Sequence, residues 1–249
     1  MLGDGCMRKY VIRPLPVTRL SIDKSLMTYM MNIGEKVTCG TYIWYIEGAE
    51  ENVIVDTGCT AELQTAGGFP AEQVASTEEA LGRVGLKPED IDAVILTHLH
   101  TDHCADAYKY ENAKFIVQRE ELESALNPHP AYSFMFSRRF FKNLNFEPVE
   151  GEVEVVEGVR VFPTPGHSPC GQSVEVETKV GRAVITGFCC IRENFEPPER
   201  LRRRFPLIVP GIHINMIQLY ESMVEVKRRS DVIVPIHSSE YLEVDRIPE

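Results

Sequence analysis

The feature that most constrains this chain is the stretch 93–103, AVILTHLHTDH. It opens as a short, continuous apolar run, the pattern of a strand buried on both faces. That strand delivers the chain directly into His98, His100, Asp102 and His103. In extended chain, residues i and i+2 point the same way, so His98 and His100 can serve one ion together. Asp102 and His103 follow as the chain turns towards a helix, and face a neighbouring position. Two metal sites a few ångströms apart become feasible. Four ligand-type residues within six, in a chain holding only seven histidines, are not the composition of an ordinary polar loop.

The same logic recurs along the chain. Segments 41–46 and 52–55 read as β-rich runs about the turn at Glu47-Gly48-Ala49-Glu50, the second ending in Asp56-Thr57-Gly58. Ser76-Thr77-Glu78-Glu79 has the form of a capping box and predicts a helix to about Val84, stopped by Gly85. Strand 114–118 precedes a helix over 120–126. Hairpins are expected at 153–162 and 173–186, a helix at 216–229 and a last strand at 231–236. Four strand-like runs therefore end at His98, His167, Cys189 and His237, where loops can converge on a rigid sheet. Strands alternating with helices, together with hairpins, predict an α/β mixed-sheet sandwich covered by helices. With 249 residues, no linker and no repeat, the whole of 1–249 reads as one domain.

Composition removes several function classes. A formal net charge of −11 lacks the basic face that nucleic-acid binding needs, and no apolar run is long enough to span a membrane. Residues 1–9 lack the charged start and apolar stretch of a signal peptide, so a cytoplasmic location is expected. Seven cysteines cannot all pair internally and read as thiols or metal ligands. The expected partner is a small-molecule substrate, with no nucleic acid and no membrane; a homodimer is left open.

The HxHxDH segment, the preceding Asp56-Thr57-Gly58, the turn Pro165-Gly166-His167-Ser168-Pro169 and the C-terminal His237 resemble the metallo-β-lactamase superfamily, in the expected order over residues 37–240. The resemblance implies an αββα sandwich, two mixed β-sheets flanked by helices, with the metal site at one edge of the sheets. It implies that His98, His100 and His167 bind one metal, and Asp102, His103 and His237 a second. Zn²⁺ is the expected ion, two per chain, with Fe or Mn also suited to imidazole and carboxylate. Asp56 would orient a ligand histidine. The short strand into Val55-Asp56-Thr57-Gly58, the segment 150–159 and the compact C-terminus look most like the N-acyl-homoserine lactonases.

Two departures from that pattern stand out. Most hydrolytic members carry a metal-bridging aspartate after the strand that follows the PGH turn; here 185–191 has none, and Cys189 stands at or next to that position. A thiolate is a sound zinc ligand, so Cys189 is a candidate for the second site, with Cys190 as a small buried hydrophobe. Where the lactonases place a carbonyl-polarising tyrosine, this chain has Arg192. Arg192 is thus a candidate to hold a substrate carbonyl or carboxylate, and Asp102 to shuttle a proton. His129 and His213 read as surface loop or pocket wall, the arginines of 200–204 as a solvated face, and the aromatics of 132–141 as either pocket wall or core. The expected activity is hydrolysis of an ester or amide, first a small lactone, by metal-activated hydroxide. The alternatives are a cyclic-amide or thioester hydrolase of the same fold, or a mononuclear-iron sulfur dioxygenase.

Overall fold

The computed structural model describes residues 9–248; residues 1–8, part of the stretch read for a targeting signal, lie outside them. Among the described residues twelve strands form two sheets. The first holds β1 (Val11–Asp23), β2 (Lys36–Glu47), β3 (Val53–Val55), β4 (Ala71–Gln73), β5 (Ala93–Ile95), β6 (Lys114–Gln118) and β7 (Phe146–Val149), in the order β4-β1-β2-β3-β5-β6-β7. The second holds β8 (Val153–Val156), β9 (Val159–Pro163), β10 (Gln172–Thr178), β11 (Gly181–Ile185) and β12 (Val232–Val234), in the order β12-β11-β10-β9-β8. Both are mixed: β3, β5, β6 and β7 run parallel, as do β11 and β12, and the remaining pairs are antiparallel. The helices are α1 (Ala61–Ala66), α2 (Thr77–Gly82), α3 (Thr101–Cys104), α4 (Arg119–Leu126), α5 (Arg192–Phe195), α6 (Glu199–Arg202) and α7 (Met216–Arg229).

Side-chain alternation explains why the central strands are apolar throughout. Tyr42, Trp44 and Ile46 of β2, Val53 and Val55 of β3, and Ala93 and Ile95 of β5 face the second sheet, meeting Val161, Val174, Val176 and Ile185. Their neighbours Ile43, Ile54 and Val94 face the other way, into a layer with Ala80, Leu81 and Ala125 from α2 and α4. Leu219, Met223 and Val226 of α7 cover Phe162 and Val184 on the outer face of the second sheet. The result is helix, sheet, sheet, helix, with each strand contributing to two cores by its period of two.

The expected elements form close to their expected bounds. Ser76 and Glu79 make the capping box of α2, and Gly85 terminates the following turn at φ +75°. The strand β1 is an addition. Its Pro14 and Pro16 hide the strand pattern, yet they stand opposite Trp44 and Tyr42 in the ladder with β2. On the other side, β4 pairs only with Thr18–Leu20, so the prolines sit where no neighbouring strand asks for an N–H.

Gly166 fixes the turn that carries His167. It has φ +120°, and a Cβ there would stand 2.3 Å from Leu219 N and 2.8 Å from Asn215 O. The Gly166 carbonyl also accepts N–H bonds from Ile214 and Asn215, tying the turn to the start of α7. Gly166→Ala is therefore expected to destabilise the protein by about 2–3 kcal/mol, combining backbone strain with displacement of α7. Urea denaturation measures this; an unchanged midpoint and slope contradict it.

Candidate metal centre

Each ligand-type residue lies just beyond the end of a strand. Beyond β5, the extended segment brings His98 and His100 into the space between the sheet ends, and α3 then starts, with His100 at its N-cap and Asp102 and His103 in its single turn. His167 follows β9, and His237 follows β12. The structure gathers these six into two clusters, His98–His100–His167 and Asp102–His103–His237; within each, the ligand atoms lie within 4.8 Å of one another. The clusters adjoin, with the His98 and His103 rings 4.0 Å apart. All five histidines are buried, and Asp102 is about one-third exposed.

The hydrogen bonds decide which ring nitrogens face inward. His167 Nδ1 donates to the Ile212 carbonyl at 2.8 Å, and His237 Nδ1 to the Gly40 carbonyl at 2.9 Å. His103 Nδ1 lies 2.7 Å from Asp56 Oδ2 and donates to it. The Thr97 hydroxyl donates to the same Asp56 oxygen and so accepts from His98 Nδ1 at 3.0 Å. These bonds fix the tautomer and leave Nε2 of all four rings directed into the centre.

That arrangement fits bound cations. His98 Nε2 and His167 Nε2 face each other at 3.2 Å, two lone pairs with nothing to share once both Nδ1 atoms carry the proton. His103 Nε2 is buried with no hydrogen-bond partner, 3.3 Å from Asp102 Oδ2, while His237 Nε2 lies 3.7 Å from the same oxygen. Burial holds His98 and His100 well below the usual imidazole range, and His167 at about 4, so these rings stay neutral and keep their lone pairs. Burial likewise lowers His237. His103 goes the other way: burial opposes its charge, but the carboxylates of Asp102 and Asp56 outweigh burial and raise it to about 10. Against its own burial, the His103 charge pulls Asp102 well below the carboxylate range.

Two candidates are not brought to the clusters. Cys189 reaches the edge of the same cavity, but its Sγ contacts Met27 Sδ at 3.4 Å and belongs to neither cluster. After β11 the chain inserts Phe188 and Cys190 into the core beneath α7, which leaves Cys189 facing Met27 and Cys39; burial pushes its thiol pKa up. Arg192 is also placed apart. Its guanidinium pairs with Glu196 and Glu240 at the surface, half exposed and outside the cavity lining. His129 and His213 lie outside both clusters, and Arg200, Arg202, Arg203 and Arg204 form a solvated face. The aromatic stretch divides: Phe134 and Phe140 line the cavity, while Phe136 and Phe141 enter the core.

The cavity beside the clusters has a volume of about 340 Å³. His100, Asp102, His167 and His237 reach it, and its walls include Leu20, Ile22, Leu63, Phe69 and Met135. The wall residues from β1, α1 and Phe69 carry no motif and could not be singled out in the sequence. Another residue missed there is Glu121 of α4, buried against the ligand loops. Among the described residues no helix is long and apolar enough to cross a membrane.

Known proteins place this centre in context. Residues 37–187 match the Metallo-beta-lactamase superfamily. An N-acyl homoserine lactonase of Bacillus cereus is 33% identical over 201 residues, covering 73% of this chain and 77% of that protein. N-acyl homoserine lactonase AiiB of Agrobacterium fabrum is 28% identical over 183 residues, covering 63% and 66%. A B. thuringiensis AiiA variant, solved with N-decanoyl-L-homoserine bound at the active site, superposes with a TM-score of 0.77 at 26% identity, covering 98% of this chain and 99% of that one. An N-acyl homoserine lactone hydrolase with the product N-hexanoyl-L-homoserine bound at the catalytic metal center gives the same TM-score, identity and coverage.

The cluster predicts how stability depends on pH once metal is removed by a chelator. The lowered histidines bind protons only on unfolding, so stability falls as pH drops below about 6.5. His103, raised to about 10, gives stability that is complete below its unfolded value and is lost as pH rises towards 10. Between pH 7 and 8.5 the chelated protein is expected to lose about 1–2 kcal/mol, and Asp56→Asn to flatten that slope. Urea midpoints across this range test it; a wild-type curve that stays flat or rises contradicts it.

Proposed function

The chain belongs to the metallo-β-lactamase superfamily, and we propose that it is a metal-dependent hydrolase opening a small lactone that bears an apolar substituent. One observation carries this reading: two adjoining ligand clusters with inward-facing Nε2 atoms border an apolar cavity of small-molecule size. The relatives named as N-acyl homoserine lactonases, and the related structures holding acyl-homoserine molecules at the active site or metal centre, support the lactone over a cyclic amide or thioester.

In this proposal His98, His100 and His167 hold one ion, and Asp102, His103 and His237 another; the donor set of imidazoles and one carboxylate suits Zn²⁺, with Fe or Mn compatible. When bound, such ions supply Lewis acidity towards a carbonyl and acidify water. The protein supplies the rest. Nδ1 bonds to Thr97, Asp56, Ile212 and Gly40 hold four of the imidazoles in orientation. Asp102 is the only carboxylate of the clusters and reaches the cavity, so its Oδ can carry a proton to the departing alkoxide. Ile22, Phe69 and Phe140 keep water from the substituent and take it up. The cysteines among the described residues are free and buried, which suits a reducing compartment, and we assign the protein to the cytoplasm.

Metal analysis with a hydrolysis screen of lactones, thioesters and cyclic amides tests the proposal. His100→Ala is expected to abolish lactone opening and lower the metal content, and Asp102→Asn to reduce kcat by ~10²–10⁴-fold. A His100→Ala protein with full metal and full activity contradicts the assignment, and a purified protein holding only iron without hydrolytic activity favours the dioxygenase.

A further inference from the structure

Outside the ligand clusters, the most unusual buried group is Glu121. It lies in the first turn of α4 and is wholly inaccessible to solvent. A carboxylate is costly to bury, and an apolar residue would fill the same space without that cost. Among the described residues no cation offsets it. Instead each oxygen accepts one backbone N–H: Oε1 from Leu99 at 3.1 Å, and Oε2 from Cys170 at 3.0 Å.

These two donors belong to the two loops that carry the all-histidine cluster. Leu99 stands between His98 and His100, and Cys170 follows His167 by three residues. The strands behind these loops are already joined: Gln172 N donates to Thr97 O, and Gln172 Nε2 donates to Leu96 O and Ile116 O. Glu121 acts one step farther out, beyond the strand ends, where the chain carries the ligands. Helix α4 is itself fixed, with Ala125 in the core beneath the first sheet.

We propose that Glu121 is a positioning residue for the metal centre, its two oxygens setting the spacing between the His98–His100 loop and the His167 turn. It belongs to neither cluster and lies outside the cavity lining, and it acts through the backbone of the loops. The inference rests on the reading of the clusters as a metal centre. Its geometric requirement is specific: two acceptor oxygens, at the reach of a glutamate.

Glu121→Gln keeps the shape but offers one acceptor, because its NH₂ would meet a backbone N–H; Glu121→Asp keeps both acceptors but is one methylene short of spanning the loops. The measurement is Zn²⁺ affinity by chelator competition and metal content after dialysis, together with urea stability of the metal-free protein. Both variants are expected to bind zinc ~10–100-fold more weakly at the all-histidine cluster, as for loss of a group that supports metal ligands, and to retain less metal per chain than wild type. A merely structural role predicts lower stability with wild-type zinc affinity, and that result in whichever variant folds overturns the proposal. A wild-type protein that binds no zinc, iron or manganese overturns instead the metal-hydrolase reading beneath it.

Discussion

Three hydrogen bonds to one buried carboxylate hold the centre together. Asp56 directly follows β3 and adopts φ +58°, a conformation that costs a non-glycine residue on the order of 1 kcal/mol or more. From there its oxygens accept Thr97 N at 2.8 Å, Thr97 Oγ1 at 2.8 Å and His103 Nδ1 at 2.7 Å. The next residue, Thr57, donates both its N–H and its hydroxyl to the His103 carbonyl. One short segment thereby locks the end of β5 and the single turn of α3 in place. An asparagine could accept only at one oxygen, and would place an NH₂ where an N–H or O–H must point. The strained backbone persists because these bonds over-determine it.

What Asp56 does for one loop, the sandwich does for the whole centre. His98, His100, Asp102 and His103 come from the first sheet, and His167 and His237 from the second. Their separation is set by the core between the sheets, where fully buried side chains such as Trp44, Val55, Ile95, Val174 and Ile185 interlock. Burying five imidazoles side by side disfavours their protonated forms, which is why four of them are lowered while His103, held between two carboxylates, is raised. The protein has stored donors that cannot satisfy one another. This is the electrostatic state in which a cation is bound most readily, since ligands need not first lose protons and only His103 must exchange one.

How much of this was legible in the sequence depended on whether a residue's role left a local pattern. His98, His100, Asp102 and His103 were visible because spacing alone puts them at the end of a strand, and His167 and His237 because strand-like runs lead into them. The αββα architecture followed from the same runs together with the family resemblance. The strand β1 was not visible, since Pro14 and Pro16 argue against a strand until the sheet order shows that nothing needs their N–H groups. Glu121 was equally silent: in sequence it is one glutamate among several on a short helix, and only the packing of α4 aims it at Leu99 and Cys170. Cys189 and Arg192 stand apart from the clusters for the opposite reason. Counting along the chain from His167 gave their sequence positions but not their directions, and direction is decided by Phe188 and Cys190 packing under α7 and by Glu240 capturing the guanidinium.

Those two placements bear on how charge and apolar surface divide in this site. Arg192 is held at the surface and Cys189 is turned to Met27, so neither stands among the clustered residues. Of the six clustered residues, Asp102 alone is anionic. Apart from Arg139, a cation on the cavity wall, the larger part of that wall is Leu20, Ile22, Leu63, Phe69, Met135 and Phe140, drawn from β1, α1 and the aromatic stretch. An apolar wall distinguishes substrates weakly, by about 1–3 kcal/mol per methylene gained or lost. The ligands are thus held at the ends of the two sheets, while the wall that borders them comes from β1, α1 and the aromatic stretch.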